Sequence, residues 1–341
     1  MPEHPFPRPV IVGLPGAALD PATRAALAEL DPLGVILFAR NVDAPDQLAA
    51  LTGSVRRALG RKDAPVLVDQ EGGRVARLKG GKFRHPPAAC RFGQLWDLDP
   101  PAAVRAAFLN ARLIAHELGL AGIDVDCAPV CDVPVPGAHD VIGDRAFHQN
   151  PRVVAALARA TARGLLAGGV QPVMKHIPGH GRAAADSHLE LPVVGATAAE
   201  LGRDAIPFRA LAAIAPWAMT AHVLYPALDP SYPASLSALV LAAAVRRGIG
   251  FHGVLVSDDL GMKALSGTPG ANAVAALAAG CDVVLECGPD PGSWGELAAL
   301  PPLRAAAARR LARARRMAAR AFRPFDPATA LAALDTALAR V

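Results

Sequence analysis

The sequence predicts an α/β protein that folds as a single (β/α)8 barrel of the TIM type. Eight short apolar runs rich in β-branched residues alternate with helical segments, and eight such units close a barrel of this kind. The length of 341 residues suits one large domain, because these barrels use roughly 250 residues plus insertions. A doubly wound open sheet is the competing fold. Polar residues at the ends of several different strands favour the barrel, because there the strand ends converge on one mouth.

The predicted strands are short apolar runs, each followed by a helical segment, as expected for parallel βαβ units. In chain order they are 10–14, 35–39, 65–69, 122–128, 170–176, 217–222, 253–257 and 281–286. The long segment after the fourth strand, up to about residue 150, is predicted to be a loop.

The predicted helices are rich in alanine, and three of them have a recognisable start. Pro21 and Pro151 suit the first turn of a helix, and Asp43 is expected to be an N-cap. The predicted helices are 21–30, 44–59, 101–119, 151–168, 198–213, 236–247, 270–279, about 297–322 and 327–340. No linker, internal repeat or break in composition marks a second domain, so residues 1–341 are expected to form one domain.

Polar side chains follow several of the predicted strands and are the first candidates for a site. They are Asp69, Lys175, His176, His222 and Asp258. His222 fits a ligand and a hydrogen-bonded core histidine equally well. Asp258 and Asp259 are adjacent, so only one of them can face the mouth, and spacing alone does not say which.

The segment 173–194 carries the densest group of chemically reactive side chains. A strand end with Lys175 and His176 is followed by a loop rich in glycine and proline, which contains Asp186 and His188. Asp186 lies two residues before His188, close enough for its carboxylate to hold the imidazole in one tautomer and raise its basicity. The pair is therefore a candidate proton-transfer unit. The loop 177–190 has little apolar content, and we expect it to be mobile and to close over bound substrate.

Six stretches in the same order resemble the bacterial β-N-acetylhexosaminidases of glycoside hydrolase family 3. They are VDQEGGRVARL at 68–78, IGDRAF at 142–147, KHIPGHG with DSHLELP at 175–192, AMTAHVLYPALD at 218–229, ASLS at 234–237 and GFHGVLVSDDLGMKA at 250–264. The sequence departs from the family pattern after Gly181, where the family has an acidic residue and a threonine and this chain has Arg182 and Ala183. The departure concerns the hydrogen bonds within the loop.

The resemblance implies the roles of the candidate catalytic residues. Asp258 corresponds to the family's nucleophile, which leaves Asp259 as a candidate helix N-cap. His188 corresponds to the acid/base residue, and Asp186 orients it. These roles imply a retaining mechanism with a covalent glycosyl-enzyme intermediate.

The resemblance also implies a set of sugar-binding residues and a substrate. The set is Asp69, Arg77, Arg145, Lys175 and His176. The implied substrate is N-acetylglucosamine joined β-1,4 to 1,6-anhydro-N-acetylmuramic acid, with or without peptide, in cell-wall recycling. The length fits the single-barrel branch of the family. No metal or organic cofactor is implied, and the protein is expected to be a monomer.

Composition narrows the possible partners and the compartment. The formal net charge is +5, but eight arginines lie between residues 301 and 323 without an acid, and without them the 35 basic residues fall to 27 against 30 acidic ones. The basic character thus belongs to one helix, which is expected to present a solvated face and not a nucleic-acid site. Five cysteines without zinc spacing fit a reducing compartment. The N-terminal ten residues do not resemble a secretory signal, and no run is long enough to span a membrane, so a cytoplasmic protein is expected.

Four other readings of the same residues remain open. A histidine acid/base could admit phosphate and allow phosphorolysis, and Lys175 could form the Schiff base of an aldolase. A metal-dependent hydrolase would use His176, His180 and His188. A sugar-binding barrel without catalysis would keep Asp69 and Lys175 but tolerate loss of Asp258.

Overall fold

The computed structural model describes residues 6–79 and 83–341, so the first five residues of the predicted non-secretory N-terminus lie outside it. Eight parallel strands form a closed barrel in which each strand pairs with the next and the last pairs with the first. The barrel strands are β1 (Arg8–Gly13), β2 (Pro32–Leu37), β3 (Val66–Val68), β4 (Val125–Asp126), β5 (Gln171–Ile177), β6 (Trp217–Thr220), β7 (Val254–Asp259) and β8 (Val283–Glu286). The predicted (β/α)8 barrel is thereby confirmed.

Helices surround the barrel and connect successive strands. They are α1 (Pro21–Leu30), α2 (Pro45–Ala58), α3 (Ala89–Leu98), α4 (Pro100–Leu120), α5 (Pro151–Ala167), α6 (Ala198–Asp204), α7 (Ile206–Leu211), α8 (Val240–Ile249), α9 (Pro269–Ala279), α10 (Ala305–Ala321) and α11 (Pro327–Leu338). Short 3₁₀ segments cover Ala39–Asn41, Gly143–Arg145, Ala234–Leu236 and Pro291–Ala299. α8 has the wider turns of a π-helix. α3 lies in a region for which no helix was predicted.

The start of α2 differs from the prediction, because Asp43 is not its N-cap. Ala44 occupies that position, and the Gln47 side chain accepts a hydrogen bond from the Asp43 amide at 2.9 Å. Gln47 therefore satisfies backbone groups that an aspartate cap was expected to satisfy.

Two predicted helices are interrupted at prolines. The helix predicted over 198–213 divides at Ala205 into α6 and α7, with Pro207 in the first turn of α7. The helix predicted from about residue 297 begins only at Ala305, because Pro301 and Pro302 lie inside the predicted range and cannot donate backbone hydrogen bonds. The C-terminal helices thus span 305–338 and not 297–340.

α10 closes the N-terminal end of the barrel. Its buried side chains pack against the side chains inside the barrel, among them Ile11, Val173 and Val254. Ala307, Leu311 and Ala314 on the helix make this contact, together with Leu303 just before its first residue. Loops that precede the strands hold the helix by ion pairs, since Arg310 binds Asp282 at 2.6 Å and Arg315 binds Asp63 at 3.0 Å. The arginine-rich helix is therefore amphipathic, with one side in the core.

Over 6–79 and 83–341, no helix is both long enough and apolar enough to cross a membrane.

Candidate active site

Seven of the eight predicted site residues line one cavity at the C-terminal ends of the barrel strands. They are Asp69, Arg77, Arg145, Lys175, His176, His188 and Asp258. The eighth, Asp186, does not line the cavity but contacts Nδ1 of His188. The cavity lies at the end of the barrel opposite α10.

A short hairpin after β3 brings the first two of these residues together. It pairs Gln70–Gly72 with Val75–Ala76. The turn requires glycine, because Gly72 has a φ of 109° and a Cβ there would lie 2.2 Å from the carbonyl oxygen of Pro87. The chain thus folds back, and Arg77 Nη2 lies 3.2 Å from Asp69 Oδ2.

Lys175 is buried between two carboxylates. Its Nζ lies 2.7 Å from Asp69 Oδ1 and 2.7 Å from Glu71 Oε1. Burial opposes the charge of Asp69, but Lys175 and Arg77 outweigh it and lower the pKa of Asp69 well below its usual value. Burial likewise disfavours the charged form of Lys175, yet the two carboxylates raise its pKa. An amine held protonated in this way is not the neutral nucleophile that a Schiff-base aldolase needs.

Glu71 was not predicted as a site residue, although it links two that were. Arg145 donates from Nε and Nη2 to the two carboxylate oxygens of Glu71, both at 2.8 Å. Burial works against ionisation, but Lys175 and Arg145 lower the pKa of Glu71 to about 2. An acidic residue two positions after a strand-end aspartate is the only sequence signal that could have identified it.

Asp132 is a second residue that the sequence analysis missed. It is completely buried in the loop after β4, and its Oδ2 lies 2.7 Å from His176 Nδ1. Its Oδ1 accepts a hydrogen bond from the His180 amide at 2.7 Å. The contact at Nδ1 selects the His176 tautomer and leaves Nε2 for the cavity.

Asp258 and Asp259 have different surroundings, and the difference separates their possible roles. Asp259 Oδ1 accepts hydrogen bonds from the amides of Gly261 at 3.1 Å and Cys287 at 3.0 Å. Asp258 accepts one bond, from the Asp259 amide at 2.8 Å, and makes no ion pair within the described residues. Asp258 is therefore the freer carboxylate.

The electrostatic surroundings favour an ionised Asp258. Its burial favours the neutral form, but the neighbouring His176, His222 and Lys175 outweigh it and lower the pKa of Asp258. By contrast, burial raises the pKa of Asp259.

The expected role of Asp259 as a helix N-cap was wrong. Asp259 caps the turn to Gly261 and not a helix, since α9 begins at Pro269 with Thr268 as its cap. Arg145 is paired with Glu71 and makes no ion pair with Asp258.

His222 is a packed core histidine. It is completely buried, with Nδ1 2.6 Å from Ser235 Oγ and Nε2 2.9 Å from the Asp259 carbonyl oxygen. Both ring nitrogens are thus occupied by the protein.

The loop after β5 carries the Asp186–His188 pair to the rim of the cavity. Asp186 Oδ1 lies 2.7 Å from His188 Nδ1 and accepts the His188 amide at 2.9 Å. The His188 side chain is 63% exposed, whereas that of Asp186 is 22% exposed. Burial favours the neutral acid, but the hydrogen bonds to His188 lower the pKa of Asp186. The pair is thus an ionised carboxylate that orients a solvent-accessible imidazole through Nδ1.

The first half of this loop is anchored more firmly than its low apolar content indicated. Residues 177–181 are buried, and Ala183 packs in a small apolar cluster with Val223 and Tyr225. Arg182 Nε lies 2.5 Å from Asp204 Oδ2 on α6. Within this loop, consecutive exposed positions occur only in the segment 184–190. The two residues that depart from the family pattern therefore both hold the base of the loop in place.

A metal-dependent hydrolase would use His176, His180 and His188 as its ligands. His176 and His180 both contact Asp132, and within 6–79 and 83–341 no group of three His, Cys, Asp or Glu side chains has the arrangement of a metal site.

The chain is similar to known proteins over most of its length. The family model described as "Glycosyl hydrolase family 3 N terminal domain" matches residues 12–305. The beta-hexosaminidases of Bordetella avium and Alkalilimnicola ehrlichii are each 44% identical, over 285 and 283 residues, which is 82% of this chain and 81% and 80% of theirs. The solved NagZ of Neisseria gonorrhoeae in complex with N-trifluoroacetyl-D-glucosamine is 36% identical with a TM-score of 0.87, over 98% of this chain and 99% of that one. The solved β-N-acetylhexosaminidase of Beutenbergia cavernae is 29% identical with a TM-score of 0.75, over 92% and 96%.

Proposed function

The chain belongs to glycoside hydrolase family 3 and is an enzyme of the β-N-acetylhexosaminidase type, and from this premise we propose that it is a retaining exo-β-N-acetylglucosaminidase. The proposal assigns the nucleophile to Asp258, the acid/base to His188 and the orientation of that histidine to Asp186. One observation carries it. Asp258, an ionised carboxylate without an ion-pair partner among the described residues, lines the same cavity as His188, which Asp186 holds through Nδ1.

In the first step Asp258 attacks the anomeric carbon and forms a covalent glycosyl ester. The bond between the anomeric carbon and the leaving oxygen breaks, and His188 Nε2 donates its proton to that oxygen. Asp186 holds Nδ1, so Nε2 is the nitrogen that transfers the proton. The aglycone leaves as a neutral alcohol.

In the second step His188, now neutral, accepts a proton from water at Nε2. The water oxygen attacks the anomeric carbon and displaces the Asp258 carboxylate. Two inversions retain the β configuration, and both partners return to their starting states. An imidazole suits both half-reactions, because its unperturbed pKa of roughly 6.5 lies near neutral pH.

The sugar-binding set gives the terminal sugar a rigid, charged environment. Asp69, Arg77, Arg145 and Lys175 belong to one ion-paired network that includes Glu71, and His176 is oriented by Asp132. Charged groups make strong hydrogen bonds to hydroxyls, and mutual ion pairing fixes their positions before substrate arrives. We assign these five residues to the non-reducing terminal sugar.

The proposed natural substrate is N-acetylglucosamine β-1,4-linked to 1,6-anhydro-N-acetylmuramic acid, with or without peptide. Support comes from the solved NagZ relative, which binds an N-acylated glucosamine analogue and matches this chain over nearly its whole length. We propose accordingly that the enzyme works as a monomeric single domain in the cytoplasm, in cell-wall recycling, without a metal or organic cofactor and without a nucleic-acid or membrane partner.

The first test is hydrolysis of 4-nitrophenyl N-acetyl-β-glucosaminide beside the matching β-glucoside, for the wild type and Asp258→Ala. We expect activity on the N-acetylated sugar alone and a loss of at least about 10³-fold in kcat in the variant, because alanine has no carboxylate to form the glycosyl ester. Asp259→Asn is the matched control and should retain substantially more activity. Equal losses at both positions would refute the assignment. Added phosphate that yields sugar 1-phosphate would instead indicate a phosphorylase.

A further inference from the structure

Ser187 lies between the two residues of the proposed acid/base pair, yet its environment differs from theirs. Ser187 is 3% exposed, whereas the His188 side chain is 63% exposed. Because Asp186 and His188 flank it directly, the position of Ser187 determines where the imidazole lies.

Two hydrogen bonds hold Ser187 in place, each to a different part of the cavity wall. Its Oγ lies 3.2 Å from His180 Nε2, at the base of the same loop. Its carbonyl oxygen accepts the amide of Ala264 at 3.2 Å, in the segment that follows β7 and Asp258. Ser187 thus connects the loop after β5 with the segment that carries the proposed nucleophile.

His180 is a rigid anchor for this contact. Its amide donates to the buried Asp132 carboxylate, and its ring packs edge-on against His176 with 5.7 Å between ring centroids. Its Nδ1 is buried without a hydrogen-bond partner among the described residues, so the contact with Ser187 is its only side-chain hydrogen bond there. Burial lowers the pKa of His180, which keeps the ring neutral.

We propose that Ser187 and His180 are positioning residues that latch the segment 184–190 over the cavity and so bring His188 to the glycosidic oxygen. The proposal rests on the function proposed above. Asp132 supports both histidines. Its carboxylate orients the ring of the sugar-binding His176 and accepts a hydrogen bond from the backbone amide of His180. The buried Ser187 side chain thereby joins the mobile segment 184–190 to the fixed base of the loop at His180.

The latch should act on the proton-transfer step more than on binding of the terminal sugar. A hydrogen bond of this kind shifts an equilibrium between open and latched loop by roughly 2- to 12-fold. Ser187→Ala should therefore lower kcat/KM by about that factor for a disaccharide, whose leaving group needs a proton. For a nitrophenyl glycoside, whose leaving group does not, kcat/KM should change less than about twofold.

The experiment combines these kinetics with hydrogen exchange of the free enzyme. Ser187→Ala should accelerate amide exchange in 184–190 without lowering the Tm by more than about 2 °C. Ser54→Ala, at a half-buried serine on α2, is the matched control and should change neither readout. A double-mutant cycle adds His180→Asn, which removes the Nε2 position. If the two residues form one latch, Ser187→Ala should have little further effect on exchange or kcat/KM in that background.

The outcomes separate this proposal from the proposed function. Equal losses on both substrates, fully additive effects, or unchanged exchange in 184–190 would overturn the latch even in an active enzyme. A wild type that cleaves neither substrate would refute the proposed function, and the exchange measurement would still decide whether Ser187 holds the loop.

Discussion

At the scale of single residues, the site is dominated by charges that neutralise one another. Asp69, Glu71, Lys175 and Arg145 form a continuous ion-paired chain in the buried wall of the cavity. Removing one member of such a network costs more than the interaction contributes, because the remaining charges stay buried without compensation. Asp258 differs from these residues in forming no ion pair with any described residue, which leaves its carboxylate available for reaction.

Glu71→Gln should therefore destabilise the protein by about 3 kcal/mol at pH 7, since Lys175 and Arg145 lose their shared anion. The pKa of Glu71 is lowered to about 2, below the 4.5 of an unperturbed glutamate. Its contribution is thus fully present above pH 4.5 and is lost as the pH falls towards 2. Urea unfolding of both proteins between pH 7 and pH 3 measures this, and the gap between them should narrow on acidification. A gap independent of pH would contradict the assignment. Glu29→Gln, on the exposed side of α1, is the control.

The sequence predicted the residues that stand at strand ends and missed those that support them. Asp69, Lys175 and Asp258 each interrupt an apolar run, which is a local signal of a position at the barrel mouth. Glu71 and Asp132 lie in irregular segments, where acidic residues are common, and only the folded chain shows that they are buried against Arg145 and His176.

At the scale of elements, local chemistry explains where the predictions and the structure differ. Pro301 and Pro302 delay the start of α10, and Gln47 replaces the expected aspartate cap of α2. The loop after β5 divides at Ala183 into a buried base and an exposed tip. A long-range ion pair to α6 creates this division, and no pattern within the loop reveals it.

Arg182→Ala should loosen the base of the loop, because Asp204 would keep a buried carboxylate without its cation. We expect a loss of about 1–3 kcal/mol in the free energy of unfolding and faster amide exchange at 177–183. Arg203→Ala, the exposed arginine beside Asp204, is the matched control and should have almost no effect. Urea unfolding and hydrogen exchange provide the measurements. Equal effects of the two substitutions would show that the ion pair does not anchor the loop.

At the scale of the whole molecule, the two ends of the barrel have separate tasks. α10 seals one end with an apolar face, and the cavity occupies the other. Sequence periodicity indicated a terminal helix with many arginines. Its role as a plug depends on contacts with residues far away in the chain, such as Ile11 and Val173, and could not be read locally.

Leu311→Ala tests the plug. Leu311 is 4% exposed, and truncating a buried leucine costs about 2–5 kcal/mol through lost burial and the cavity left behind. Arg316→Ala, on the exposed side of the same helix, should cost less than about 0.5 kcal/mol. Urea unfolding measures both, and specific activity per folded molecule should be unchanged in each. Nearly equal stabilities would mean that α10 is only loosely attached.

The sealed end of the barrel limits the routes by which substrate, water and products enter and leave the site. With Leu303, Ala307 and Leu311 filling the far end, the substrate, the incoming water and the released aglycone all use the cavity at the other end of the barrel. Under the proposed function, the aglycone must leave before hydrolysis is completed, and free N-acetylglucosamine can re-enter the vacated pocket and compete with the next substrate. Accumulated product should therefore inhibit the enzyme competitively with respect to substrate.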